Sequence, residues 1–249
     1  MKTIKLVFIS ILLTVSGFAQ TTADIGIWGG SSTYWGDIRD VPFMQKFNLN
    51  LGAYFRYNFN SRVGLRAQFL TGNFSADGYV EDIAWDFGKM AQDLSLQVEI
   101  NYLKYVLGQK KTPFTPYIMG GVGMMFFPYT LDPVRLFLIN PNFGGQPLRE
   151  ESVVIPAIPF GFGFKFTIAE RMGIGIEYQL RKILSDKLDD LDDPLTFSTN
   201  STNTNGQEET IKYTDIIHNN DWPGYLGVHI TYKIYLTKKP CPAYERKYW

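Results

Sequence analysis

A chain of 249 residues with 24 basic and 24 acidic side chains has no formal net charge and a pI near 6.7, which removes any global reason to expect nucleic acid as a partner. Its residues are 45% hydrophobic and 16% aromatic, yet no run after the N-terminus approaches the roughly 18 apolar residues of a spanning helix. A single cysteine, Cys241, excludes an internal disulfide framework.

The first residues, MKTIKLVFISILLTVSGFAQ, place Lys2 and Lys5 before an apolar stretch from Leu6 to Val15, with Gly17 and Ala19 ahead of Gln20. This is the pattern of a secretory signal over residues 1–19. Its removal takes two lysines and leaves an exported chain with 22 basic and 24 acidic residues. Such a chain is soluble, or it spans a membrane as β-strands.

From there the pattern has period two. Strands are expected near 23–34, 47–58, 62–73, 91–105, 114–127, 156–167, 172–183 and 222–236. In the second, Leu49, Leu51, Ala53, Phe55 and Tyr57 oppose Asn48, Asn50, Gly52, Tyr54 and Arg56. In the fourth, Leu94, Leu96, Val98, Ile100 and Tyr102 interleave with Ser95, Gln97, Glu99 and Asn101. The sixth has Phe160, Phe162, Phe164 and Phe166 on one side, with Gly161, Gly163 and Lys165 between them. The last two repeat the alternation through Ile174, Ile176, Tyr178 and Leu180, then Leu226, Val228, Ile230 and Tyr232.

Connections near 58–61, 106–113 and 168–171 are short, whereas those near 35–46, 74–90, 128–155 and 184–221 are long. Short turns at one end and long loops at the other predict an all-β fold, an eight-stranded antiparallel up-and-down transmembrane β-barrel of the outer-membrane type, over residues 20–236. A soluble sandwich or lipocalin-like barrel would turn the apolar series inward. The polar series decides against it. Arg56, Arg66, Glu99, Lys165, Glu177, Arg181, His229 and Lys233 suit a narrow lumen where charges pair with one another. The phenylalanines then face lipid, and the cell outer membrane is the expected location.

Other residues invite chemistry. Asp186, Asp189, Asp190, Asp192 and Asp193 lack the spacing of an EF-hand and read as a solvated loop rim, with a weak cation bridge to lipopolysaccharide phosphates as the other reading. His229 shares the polar side with Thr231, and Glu177 is expected nearby across the last strand pair. A lipid-modifying triad would have to reach the bilayer, and this one faces the lumen. His218 lies beside Asn219, Asn220 and Asp221, where loop-closing hydrogen bonds are expected. The same lumen charges, with Asp24, could line a pore, but eight strands leave room only for side chains. No catalytic residue, metal ligand or cofactor is therefore assigned.

Two loops and the tail complete the reading. Thr196–Thr210 is polar and of low complexity, and too poor in apolar surface to order itself. Leu136, Phe137, Leu138 and Ile139 are apolar in a loop, either capping the barrel or contacting a partner. The tail, residues 237–249, carries Lys238, Lys239, Cys241, Tyr244, Arg246, Lys247, Tyr248 and Trp249. It reads either as a disordered end or interfacial anchor against lipid headgroups, or as a periplasmic docking peptide rich in hot-spot residue types.

Three stretches carry a family resemblance. IGIWGGSSTYWGDI (Ile25–Ile38) leads from glycines and aromatics to Gly36–Asp37; LSDKLDDLDDP (Leu184–Pro194) has Lys187 where an aromatic is usual; NNDWPGYLGVHITYKI (Asn219–Ile234) enters the last strand with Pro223 at another aromatic position. Together they resemble the PorG-like, DUF6089-like outer-membrane barrels of Bacteroidota, associated with the type IX secretion system. The resemblance implies a non-enzymatic component that anchors periplasmic ring or trans-envelope secretion proteins, with outer-membrane lipid and lipopolysaccharide around it. The alternative is an OmpA- or OmpW-like structural barrel or narrow passive pore without a secretion role.

Overall fold

The computed structural model describes residues 22–36, 38, 41, 48–80, 83–139, 147–185, 187–190, 198–202, 208–212 and 221–236. The expected signal segment and the tail lie outside them. The described strands are β1 (Thr22–Trp35), β2 (Leu49–Asn58), β3 (Val63–Val80), β4 (Ile83–Asn101), β5 (Phe114–Leu131), β6 (Arg149–Thr167), β7 (Met172–Ile183), β8 (Ser198–Thr202), β9 (Glu208–Lys212) and β10 (Trp222–Tyr235), with a short helix α1 (Pro133–Ile139) after β5. Eight of them close as β1-β10-β7-β6-β5-β4-β3-β2. Every pair is antiparallel, and the seam joins the two ends of the chain, from Thr22↔Tyr235 to Trp35↔Trp222. This is the barrel that the alternation predicts.

The apolar series faces outward. Ile27, Leu51, Val122 and Phe162 are 64%, 54%, 66% and 55% exposed, a surface that only lipid tails solvate well. Two hairpins rise beyond this band: β3 to β6 have 18 or 19 residues, whereas β2 and β7 have 10 and 12. In the β3–β4 hairpin pairing runs without interruption from Val63↔Ile100 to Val80↔Ile83, so most of the expected 74–90 loop is strand.

The reason lies in the change of solvent. Above Thr71 the alternation reverses phase: Phe74, Ala76, Trp85 and Phe87 point inward and are buried, while Asp86 and Tyr79 point outward. With Met125, Phe127, Tyr129 and Ile155 they form an apolar core. Below the transition the barrel is apolar outside and polar inside. Above it, the polarity is that of a water-soluble protein.

Other boundaries move for local reasons. Strand β4 stops at Asn101, short of the expected Tyr105, because Tyr105 N donates to Ser61 O at 2.9 Å and turns the chain across the barrel end. The polar 196–210 stretch, expected to remain unordered, contributes to the β8–β9 ladder from Ser198↔Lys212 to Thr202↔Glu208. Backbone pairing there does not require apolar burial.

Placing a cation in the lipid-facing band tests this division. Phe162→Arg is expected to cost about 2–4 kcal/mol of stability in liposomes, read by urea unfolding. Tyr79→Arg, above the band, should leave the unfolding midpoint within error.

Candidate functional site

Inward positions of the lower barrel are stacked in layers. Asp24, Arg56 and Arg66 are direct cross-strand neighbours on β1, β2 and β3, which sets two arginines side by side. Like charges so placed repel. Glu99 of β4 relieves the repulsion by taking both: Arg56 Nη1 lies 3.2 Å from its Oε2, and Arg66 Nε pairs with its Oε1. Lys165 of β6 pairs with the same carboxylate, Asp24 holds Arg56 at 2.9 Å, and Glu177 of β7 holds Arg66 Nη1 at 2.9 Å. Three cations and three carboxylates therefore neutralise one another.

Rings fill the space beside this network. The Arg66 guanidinium lies 4.5 Å from the centre of the Tyr54 ring. Tyr54 Oη is 2.9 Å from His229 Nδ1, and Tyr117 Oη donates to Glu177. Two glycines make the fit possible: a Cβ at Gly26 would come within 2.2 Å of the Tyr54 ring, and one at Gly175 within 2.2 Å of His229 Nε2.

Next above, Gln97 Nε2 donates to Gln68 Oε1 at 3.1 Å, and Arg181 clasps Asp93 at 2.9 and 3.3 Å. At the opposite, short-turn end, Lys233 Nζ donates to Leu107 O at 2.8 Å. Thus Arg56, Arg66, Glu99, Lys165, Glu177 and His229 converge, Arg181 sits nearer the mouth with its own carboxylate, and Lys233 belongs to the closure of the short-turn end. Asp93, Tyr54 and Tyr117 complete the lumen. Asp93 could have been found, since it shares parity with Ser95, Gln97 and Glu99.

Arg66, Gln97, Gln179, Arg181, Leu70 and Met125 are each 0% exposed. A water-filled bore would wet such positions, so the lumen is packed shut at these levels. His229 Nε2 stands 3.6 Å from Glu177 Oε2 and Nδ1 3.2 Å from Thr231 Oγ1. A hydroxyl, an imidazole and a carboxylate do align, but all three are buried inside the barrel wall and away from lipid.

The mouth holds a second cluster. Tyr34 Oη, at the top of β1, lies 2.9 Å from Asp189 Oδ2 and 2.8 Å from Asp221 Oδ1. Trp85 Nε1 donates to Asp189 O at 2.9 Å, Leu188 N donates to Asp221 Oδ2 at 3.2 Å, and Lys89 Nζ donates to Asp190 Oδ1 at 2.6 Å. Asp189 and Asp221 are 0% exposed, which for Asp189 corrects the expectation of a solvated rim. The segment 187–190 folds into the barrel mouth, with Asp190 in the left-handed region at φ 65°. Asp186, Asp192, Asp193 and His218 lie outside the described residues. So do Lys238, Lys239, Cys241, Tyr244, Arg246, Lys247, Tyr248 and Trp249. In α1, Phe137 and Leu138 are 50% and 64% exposed, so these two do not seal the barrel.

A closed eight-stranded antiparallel barrel with an apolar belt outside and paired charges inside is an outer-membrane β-barrel, and the belt places it in that membrane. The chain belongs to the family described as a domain of unknown function, DUF6089, whose model matches residues 2–245. Among solved structures it is similar to Ail, the attachment invasion locus protein of Yersinia pestis, in complex with the heparin analogue sucrose octasulfate. That similarity has a TM-score of 0.45 and 13% identity over 86% of this chain and 99% of that one. It is also similar to Neisserial surface protein A (0.45, 10%, 88% and 100%) and to OprG of Pseudomonas aeruginosa (0.41, 13%, 87% and 98%). No curated protein matches it.

Two substitutions probe the layers separately. Arg66→Met takes the arginine from buried Glu177 and leaves the network one cation short, although Arg56 and Lys165 still hold Glu99, and it is expected to cost about 3–5 kcal/mol, seen as a lower temperature for loss of the compact, fast-migrating gel form. Tyr34→Phe removes the donor to two buried carboxylates and should cost about 1–3 kcal/mol. Its signature is faster amide hydrogen exchange confined to 187–190 and the start of β10.

Proposed function

We propose that this protein is a non-enzymatic outer-membrane anchor, an assembly component of a type IX-like secretion apparatus that holds periplasmic ring or trans-envelope partners. The observation that carries the reading is the packed, charge-neutral lumen. A bore filled by Arg66, Glu99, Glu177, Gln97 and Arg181 favours neither conduction nor catalysis, which leaves the two end faces of the barrel for function. The hydroxyl–imidazole–carboxylate alignment at His229 serves packing in this reading, because a lipid substrate has no access to it.

The secretion role rests on the resemblance to PorG-like barrels. It gains support from the way the three stretches that carry it meet: Tyr34, Asp189 and Asp221 come one from each and share hydrogen bonds at the mouth. A structural barrel without a secretion role would be packed in the same way, so the two readings part only in the cell. Deleting the gene is expected to abolish export of secreted cargo to the medium while other outer-membrane barrels still assemble. Normal export would assign the structural role instead. In planar bilayers the purified protein is expected to give no current steps, and reproducible steps would overturn the anchor reading in favour of a pore.

A further inference from the structure

The two ends of the barrel differ in how their charges are arranged. At the long-loop end charges pair with one another: Arg135 pairs with Asp86 at 3.1 Å, and Arg149 and Lys187 both pair with Glu151, at 2.7 and 3.1 Å. The short-turn end is different. Its three turns, residues 59–62, 102–113 and 168–171, carry Arg62, Lys104, Lys110, Lys111 and Arg171, all exposed, against one carboxylate, Glu170. None of the three lysines pairs with a described carboxylate.

This basic face is also held in shape. The longest turn folds back over the bore, with Tyr105 and Leu107 only 7% and 4% exposed. Tyr105 N is tied to Ser61 O of the neighbouring turn at 2.9 Å, Gln109 N to Val106 O at 3.0 Å, and the Arg62 guanidinium to Tyr102 O at 2.7 Å. Gly108, at φ +93°, packs so closely on the third turn that a Cβ there would stand 2.0 Å from Glu170 O. Lys104 and Lys110 flank this lumen-sealing stretch in the sequence, and both are exposed. A preordered face loses little conformational entropy on binding.

We infer that the capped periplasmic end of the barrel is a docking platform for an acidic segment of a periplasmic protein, with Lys104, Lys110 and Lys111 as its principal contacts and Arg62 and Arg171 at its rim. The chain's own tail is the wrong occupant. It follows β10 in the sequence and carries Lys238, Lys239, Arg246 and Lys247 against Glu245, a net charge of the same sign as the platform's, with which it has no electrostatic complementarity. The inference rests on the anchor reading above and deepens it by naming the surface and the sign of the partner.

The test uses full-length protein in phosphatidylcholine nanodiscs and a fluorescein-labelled peptide of alternating glutamate and glycine, followed by anisotropy. The expected result is salt-sensitive binding that weakens about tenfold or more in K104E/K110E/K111E. The neutral variant K104Q/K110Q/K111Q should lose part of the affinity, and both variants should keep the compact gel form. R135E/R149E at the other end, and a truncation ending at Leu236, should bind the peptide no worse than a factor of two from the full chain. Unchanged binding in the lysine variants, or loss on truncation alone, overturns the platform. If the lysine variants lose only association with phosphatidylglycerol vesicles while peptide binding persists, the face is a lipid headgroup contact and the inference also falls. The secretion reading is scored separately. Normal cargo export in the deletion strain, with salt-sensitive peptide binding by the purified protein that is lost in K104E/K110E/K111E, overturns that reading and leaves the platform standing.

Discussion

Arg66 is wholly enclosed and holds Glu99 on one side and Glu177 on the other. Much else in the molecule is a consequence of needing such an arrangement. Once the outer wall of a narrow barrel faces lipid, every polar side chain on the strands must turn inward, into a space that excludes bulk water. A charge there is tolerated only when others compensate it. The alternation of each strand, the glycines opposite Tyr54 and His229, and the balance of three cations with three carboxylates all follow. The lumen is thus a set of mutually dependent partners on different strands, and this makes the cross-section rigid.

The same constraint explains why the barrel changes character along its axis. Where β3 to β6 leave the bilayer, water takes over the role of outer solvent, and apolar side chains become the economical filling. Phe74, Trp85, Phe87, Met125, Phe127 and Tyr129 supply it. The segment 187–190 is then drawn into the mouth, where Tyr34, Lys89 and Trp85 provide for the polar groups that it buries. Chemistry at this end is directed inward. At the opposite end the turns seal the bore with Tyr105 and Leu107 and leave their cations exposed, so the two ends of the barrel differ in chemistry.

How much of this was legible in the sequence varies with the distance over which each feature is set. Strand positions and the inward set from Arg56 to Lys233 are local, since parity along a strand is enough to assign a side. The upper halves of β3 and β4 escaped because parity there changes meaning when the solvent changes, and a reader following one phase sees the strand end near Thr71. Tyr117 was hidden because, of its inward neighbours on β5, only Thr115 is polar, while Met119, Gly121 and Gly123 carry no polar signal. The bond between Tyr34 and two aspartates joins three distant stretches. Asp189, in a run of acidic residues, looks solvated until the tertiary fold supplies its partners.

The seam between β1 and β10 has a consequence for assembly. Hairpins such as β3–β4 pair residues close in sequence and can zip from their tips, whereas β1 finds β10 only after nearly the whole chain has been made and threaded. Loop-closure entropy makes this the most demanding pairing in the barrel. It is also the one that shelters Asp24, Trp28 and His229 from the bilayer, so a chain halted before closure would expose an unpaired edge and part of its charged interior together. Biogenesis and quality control therefore meet at a single pair of strands, and the machinery that inserts the protein has to guard that edge until the ends join.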